Sequence, residues 1–155
     1  MTLRDEINTA MKQAMRDRAA ERLSTLRLIT AAIKDRDIAA RSEGEDRSGV
    51  DDGEILSILA KMVKQRQESA RTYEEGGRLD LAEREISEIG VIEEFLPKQL
   101  SEGEVNAAIK AIVAEVGANS IRDMGKVMGA LKAQYTGQMD FGKVGPMVKD
   151  ALNQG

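Results

Sequence analysis

Apolar residues recur at steps of three and four along almost the whole chain, and nowhere do they alternate with polar ones as a half-buried strand requires. The pattern predicts about seven helices and no sheet, an all-α protein. Leu3, Ile7, Met11 and Ala14 form a first stripe behind Thr2 as N-cap, with Asp5 three residues on. A second helix is expected from Glu21 to Arg41, with Leu23, Leu26, Thr30 and Ile33 on one face. Leu28, Ile29 and Ile38 should widen that face and place the helix centrally. Ser42 to Gly49 mixes charges with turn formers and holds no apolar residue, so it reads as an exposed loop. Asp51 and Glu54 then open a third helix bearing Ile55, Leu59, Met62, Arg66, Ser69, Ala70 and Tyr73, which Gly76 and Gly77 stop. A fourth carries Leu79, Ala82, Ile86, Ile89 and Ile92 and is expected to end near Phe95 and Leu96, because Pro97 disfavours helical backbone at the residue before it.

Residues 97–100 read as a hinge, since a new capping box, Ser101 with Glu104, begins directly after them. The expected organisation is a helical domain of about four helices over residues 1–96 and a small three-helix domain over 101–155. In the second, Val105, Ala108, Ile109, Ile112 and Val116 lead to a stop at Gly117. Ser120 is expected to cap a helix with Met124, Val127, Met128 and Leu131. A last helix after Asp140 uses Val144, Met147, Val148 and Leu152. Helices this short are marginal alone and need one another's packing.

Charge sharpens the division. Residues 1–96 hold 16 basic against 21 acidic side chains, whereas residues 97–155 hold 7 against 6. The overall balance of −4 argues against holding nucleic acid by bulk electrostatics, and any such contact is expected in the second domain. Aromatic residues make up only 3% and Trp is absent, so aliphatic side chains must fill the core. The chain has no cysteine, its amino terminus is charged from the first residues, and no segment reaches the apolar length of a bilayer span. These features set the expectation of a cytoplasmic protein without a membrane partner.

The residue inventory also removes most chemistry. Without histidine or cysteine there is neither the commonest general base nor a structural zinc site. No Walker sequence, Gly-rich nucleotide fingerprint or Gly-x-Ser-x-Gly elbow is present. The acid pairs Glu74–Glu75 and Glu93–Glu94 point apart on a helix and read as solvated surface. The chain is therefore expected to have no catalytic centre of its own, no cofactor and no metal. Two polar constellations remain. On the third helix Arg66, Ser69 and Tyr73 share a face beside Gln65, either as a structural cluster in which Arg66 pairs with Glu85 or Glu88, or as a contact site for a partner or phosphate. In MGKVMGALK, Gly125 and Gly129 stand four apart, either packed tightly on the last helix or open to a ligand backbone. Arg122, Lys126, Lys132 and Lys143 would rim that small domain and reach phosphates.

The stretches LRLITAAIKDRDIAAR at Leu26 to Arg41, KMVKQRQESARTYEEGGRLDLAEREISEIGVIEEFLPKQLSEGEV at Lys61 to Val105 and SIRDMGKVMGALK at Ser120 to Lys132 together resemble the YqeY family. The resemblance implies a helical amino-terminal domain followed by a three-helix tail. It also implies kinship with the tRNA-gripping tail of GatB, a subunit of the glutamine-dependent tRNA amidotransferase whose chemistry lies in other domains and subunits. The family pattern often has a basic Gly-Arg pair before the last helix, where this chain reads Gly137, Gln138, Met139, Asp140, Phe141. The expected function is a non-catalytic accessory module that binds tRNA or RNA through Arg122, Gly125, Lys126, Gly129, Lys132 and Lys143. The alternatives are an accessory amidotransferase subunit, or an adaptor that takes a protein partner on a methionine-rich edge of Met124, Met128, Met139 and Met147.

Overall fold

Three of the helices begin where a side chain occupies an orphan amide of the first turn. In the computed structural model, which describes residues 2–44 and 49–154, Thr2 and Asp5 form a reciprocal capping box at the head of α1, Leu3–Arg16. Helix α2 runs Ala20–Ser42 without a side-chain cap. Asp51 accepts from the Glu54 amide at 2.9 Å and starts α3, Asp52–Glu75. Gly77 takes a left-handed φ of 75°, which ends that helix before α4, Leu79–Glu93. Ser101 and Glu104 form a second capping box for α5, Glu102–Val116, closed by Gly117 at φ 67°. A 3-10 turn, Ile121–Asp123, leads into α6, Met124–Tyr135, and α7 spans Phe141–Gln154. Among the described residues there is no strand, so the all-helical expectation holds.

The chain divides into two compact units, Met1–Leu96 and Pro97–Gly155. In the first, α3 and α4 form a long antiparallel hairpin against which α1 and α2 pack. Its core is built from Ile7, Leu26, Ile29, Ile55, Leu59 and Ile92, all essentially inaccessible to solvent. In the second, α5, α6 and α7 close around Ile112, Val127, Leu131 and Val148. Residues 97–100, read from sequence as a hinge, are bonded into this second unit. The Leu100 amide donates to the Gln138 carbonyl at 2.9 Å, and the Gln99 side-chain amide donates to the Gly137 carbonyl.

Several sequence expectations need correction. Leu28 and Ile38 do not widen the core face of α2. They are 44% and 49% exposed, because the helix buries the arc of Thr25, Leu26, Ile29, Ile33 and Ala40 and these two residues lie beyond it. Leu79 and Ile86, at 62% and 51% exposure, flank rather than join the buried stripe of Ala82, Ile89 and Ile92 on α4. That helix stops at Glu93, and Phe95 and Leu96 are held by turn bonds to the carbonyls of Ile92 and Glu93. Ser120 makes no side-chain cap bond, and the nearby Asp123 carboxylate instead accepts from the Asn119 amide at 3.1 Å. Of the expected Ser42 to Gly49 loop, Ser42 is the last residue of α2, and residues 45–48 lie outside the described residues.

Candidate functional site

Helix α6 has two faces of opposite character. Val127 and Leu131, four apart, are fully buried and anchor the helix against α5 and α7. Gly125 and Gly129 point the other way. A Cβ built on either would have no atom within 4 Å, so the glycines are not packed tightly on the last helix. Gly125, Gly129 and Lys132 follow one another at steps of four and three and therefore share one exposed face, bordered by Lys126. Arg122 stands exposed in the 3-10 turn at the head of this helix, and Lys143 is exposed in the first turn of α7. Within α6 itself the result is a strip of bare backbone flanked by Lys126 and Lys132, with no acidic residue in the helix. Such a surface can admit a phosphate-bearing chain closely and neutralise it.

On the polar face of α3, Arg66 is bonded within the first unit. Arg66 Nε donates to Glu88 Oε2 of α4 at 2.9 Å, and its Nη1 donates to the Met62 carbonyl at 3.2 Å. The Arg66 side chain is 15% exposed and Glu88 24%, so this is a half-buried pair that staples the hairpin. Ser69 and Tyr73 are half-buried along the same face, while Gln65 is exposed off it. The structure thus groups Arg66 with Ser69 and Tyr73 and leaves Gln65 aside.

An open groove of about 1070 Å³ lies between the start of α2 and α4, lined by Ala20, Ser24, Arg22, Arg84, Glu88 and their neighbours. Arg22 forms an ion pair with Glu94, whose carboxylate raises the guanidinium pKa further. With acids and bases interleaved, the groove presents no single sign of charge to a ligand. Among the described residues no group of three or more acidic side chains is placed to hold a metal ion, and no helix is long and apolar enough to cross a membrane.

The methionine-rich edge is not an edge. Met139 is buried, and Met124, Met128 and Met147 pack against the core of the second unit. A cluster missed by sequence reasoning joins three segments of the first unit. Arg4 of α1 makes a two-pronged bond to Asp37 of α2 at 3.1 and 3.0 Å, and Asp37 also accepts from the Val50 amide at 2.8 Å. The guanidinium contact above all, and then the Val50 amide, hold the Asp37 carboxyl below the ordinary carboxylate range. No periodic signal marks residues 33 apart in sequence as partners.

A family model described as Yqey-like protein matches residues 4–152. The proteins named "Altered inheritance of mitochondria protein 41, mitochondrial" are similar to this chain. The protein of that name from Lachancea thermotolerans is 31% identical over 108 residues, covering 68% of this chain and 55% of that protein. Its counterpart in Meyerozyma guilliermondii is 38% identical over 95 residues, covering 61% and 44%. The chain thus spans about half the length of these two relatives. Their names state a mitochondrial location and no reaction. The expectation of a cytoplasmic protein is corrected accordingly: lack of cysteine is compatible with more than one compartment, and neither charge nor helical pattern distinguishes them. With nearly its whole length matched, the chain belongs to the YqeY family.

Proposed function

We propose that this protein is a non-catalytic accessory module that binds RNA, tRNA foremost, through the cation-flanked face of α6. The observation that supports the reading is the pair Gly125 and Gly129 standing on open surface inside a helix. Each costs about 0.5–1 kcal/mol relative to alanine. No packing inside the unit requires their small size, so the bare backbone serves a chain that approaches from outside. Arg122, Lys126, Lys132 and Lys143 supply phosphate contacts. Aromatic platforms for base stacking are scarce, so recognition rests on shape and backbone charge. The acidic first unit keeps the affinity weak and sensitive to salt.

A gel-shift titration of tRNA from low to physiological salt tests the reading. Gly125→Ala with Gly129→Ala should raise thermal stability and lower affinity together, a combination that misfolding cannot produce. Lys126→Glu with Lys132→Glu should abolish the shift. Absence of binding at the lowest salt, or unchanged affinity in the alanine variant, would remove the hypothesis.

A further inference from the structure

The outward face of α2 carries a second pattern, independent of the reading of α6. Ser24, Leu28, Ala31, Asp35, Ile38 and Ser42 follow at alternating steps of four and three, and all are exposed. This is the a/d register of a coiled-coil seam, on the side of the helix opposite its buried arc. Arg27, Lys34 and Arg41 recur every seven residues along one border of that seam, at the positions that set partner choice in paired helices. On a helix they lie about 10.5 Å apart. Leu28 and Ile38, 44% and 49% exposed, are the large apolar residues of α2 that the core of the first unit leaves uncovered.

We propose that this face is a docking seam for an amphipathic helix of a partner protein, one with an apolar stripe bordered by glutamate or aspartate at seven-residue spacing. Charge complementarity selects this occupant. A second copy of the chain is disfavoured, because antiparallel pairing sets the cations of one α2 against those of the other. Parallel pairing sets them against the border of Thr25, Ala32 and Ala39, which holds no carboxylate. RNA would gain the three cations but would have to cover Leu28 and Ile38, with no aromatic residue on the face to stack on a base. A lipid surface would have to bury Asp35 at mid-seam. In a partner helix the same residue is met by a lysine or arginine and fixes the register, as single polar seam positions do.

Because the chain has no cysteine, Ala31→Cys provides a single attachment point for an environment-sensitive fluorophore on the full-length protein. The probes are two synthetic helices of about four heptads with identical leucine seams, one flanked by glutamate and the other by lysine. Phosphatidylserine vesicles and tRNA are tested in parallel. A saturable blue shift with the glutamate helix, weaker by about tenfold with the lysine helix, is the expected result. Arg27→Glu, Lys34→Glu and Arg41→Glu together should invert that preference while the circular dichroism spectrum stays helical. Titration calorimetry on the unlabelled chain guards against interference from the label. Equal response to both helices, no response in either assay, or a response to vesicles or tRNA alone would overturn the proposal. Failure of tRNA to bind α6 would leave it standing.

Discussion

Asp37 ties three segments of the first unit together with one carboxylate, so single changes around it should be felt widely. Gly49 shows how little room there is. It has φ 148°, and a Cβ there would come within 2.7 Å of the Arg4 guanidinium, which the two bonds to Asp37 hold in place. Gly49→Ala should therefore break the cluster and lower stability by about 1–3 kcal/mol, read as a shift of the urea midpoint. The acid limb of the stability profile gives a second readout. Asp37 is held below its ordinary value of about 3.9, so its contribution is complete above that pH and is lost as pH falls through the lower folded value. Asp37→Asn should flatten the fall in stability below about pH 4. A variant whose acid limb overlays that of the parent chain would show that another carboxylate is responsible. None of this was legible beforehand, because Arg4, Asp37 and Val50 meet only through tertiary packing, which hydrophobic spacing does not encode.

At the scale of the element, what could be read depended on whether the signal was local. The caps at Thr2, Asp51 and Ser101 are three-residue devices, and each bonds its helix as the spacing implies. Which apolar residues a helix buries is a different question. α2 carries apolar side chains around most of its circumference, so its sequence does not single out one face, and only the position of its neighbours exposes Leu28 and Ile38. The glycines of α6 were ambiguous for the same reason, since a small residue suits a close neighbour and an open surface equally. On α3, the Arg66–Glu88 pair joins the two longest-contacting helices. Being half-buried, it falls between an exposed pair and a fully desolvated one, and Arg66→Ala should cost about 1–3 kcal/mol. For a unit of this size that lowers the melting temperature by roughly 4–8 °C per kcal/mol. The RNA affinity of the full chain should not change. Lost affinity at parental stability would move the functional face from α6 to α3.

On the scale of the whole molecule, the two hydrophobic cores draw on separate stretches of chain. The first uses residues from Leu3 to Leu96, and the second begins at Leu100. Each contains its own fully buried side chains, Leu26 and Leu59 in one, Val127 and Leu131 in the other. Each also begins on its own capping box, so neither depends on the other for helix initiation. We therefore expect residues 1–96 and 97–155 to fold when produced separately. The second fragment should be the weaker, because a short chain buries a smaller fraction of its surface and retains only a few kcal/mol of stability. In the intact protein, trypsin should cut first after Lys98, an exposed residue next to the boundary, before it attacks any site within α2 or α3. The bonds from Gln99 and Leu100 to Gly137 and Gln138 make the fragment boundary critical: a piece starting at residue 101 loses both and should melt lower than one starting at 97. Equal melting of those two pieces would show that the segment before Ser101 contributes nothing. A fragment 97–155 without a cooperative transition would show that the second core needs the first.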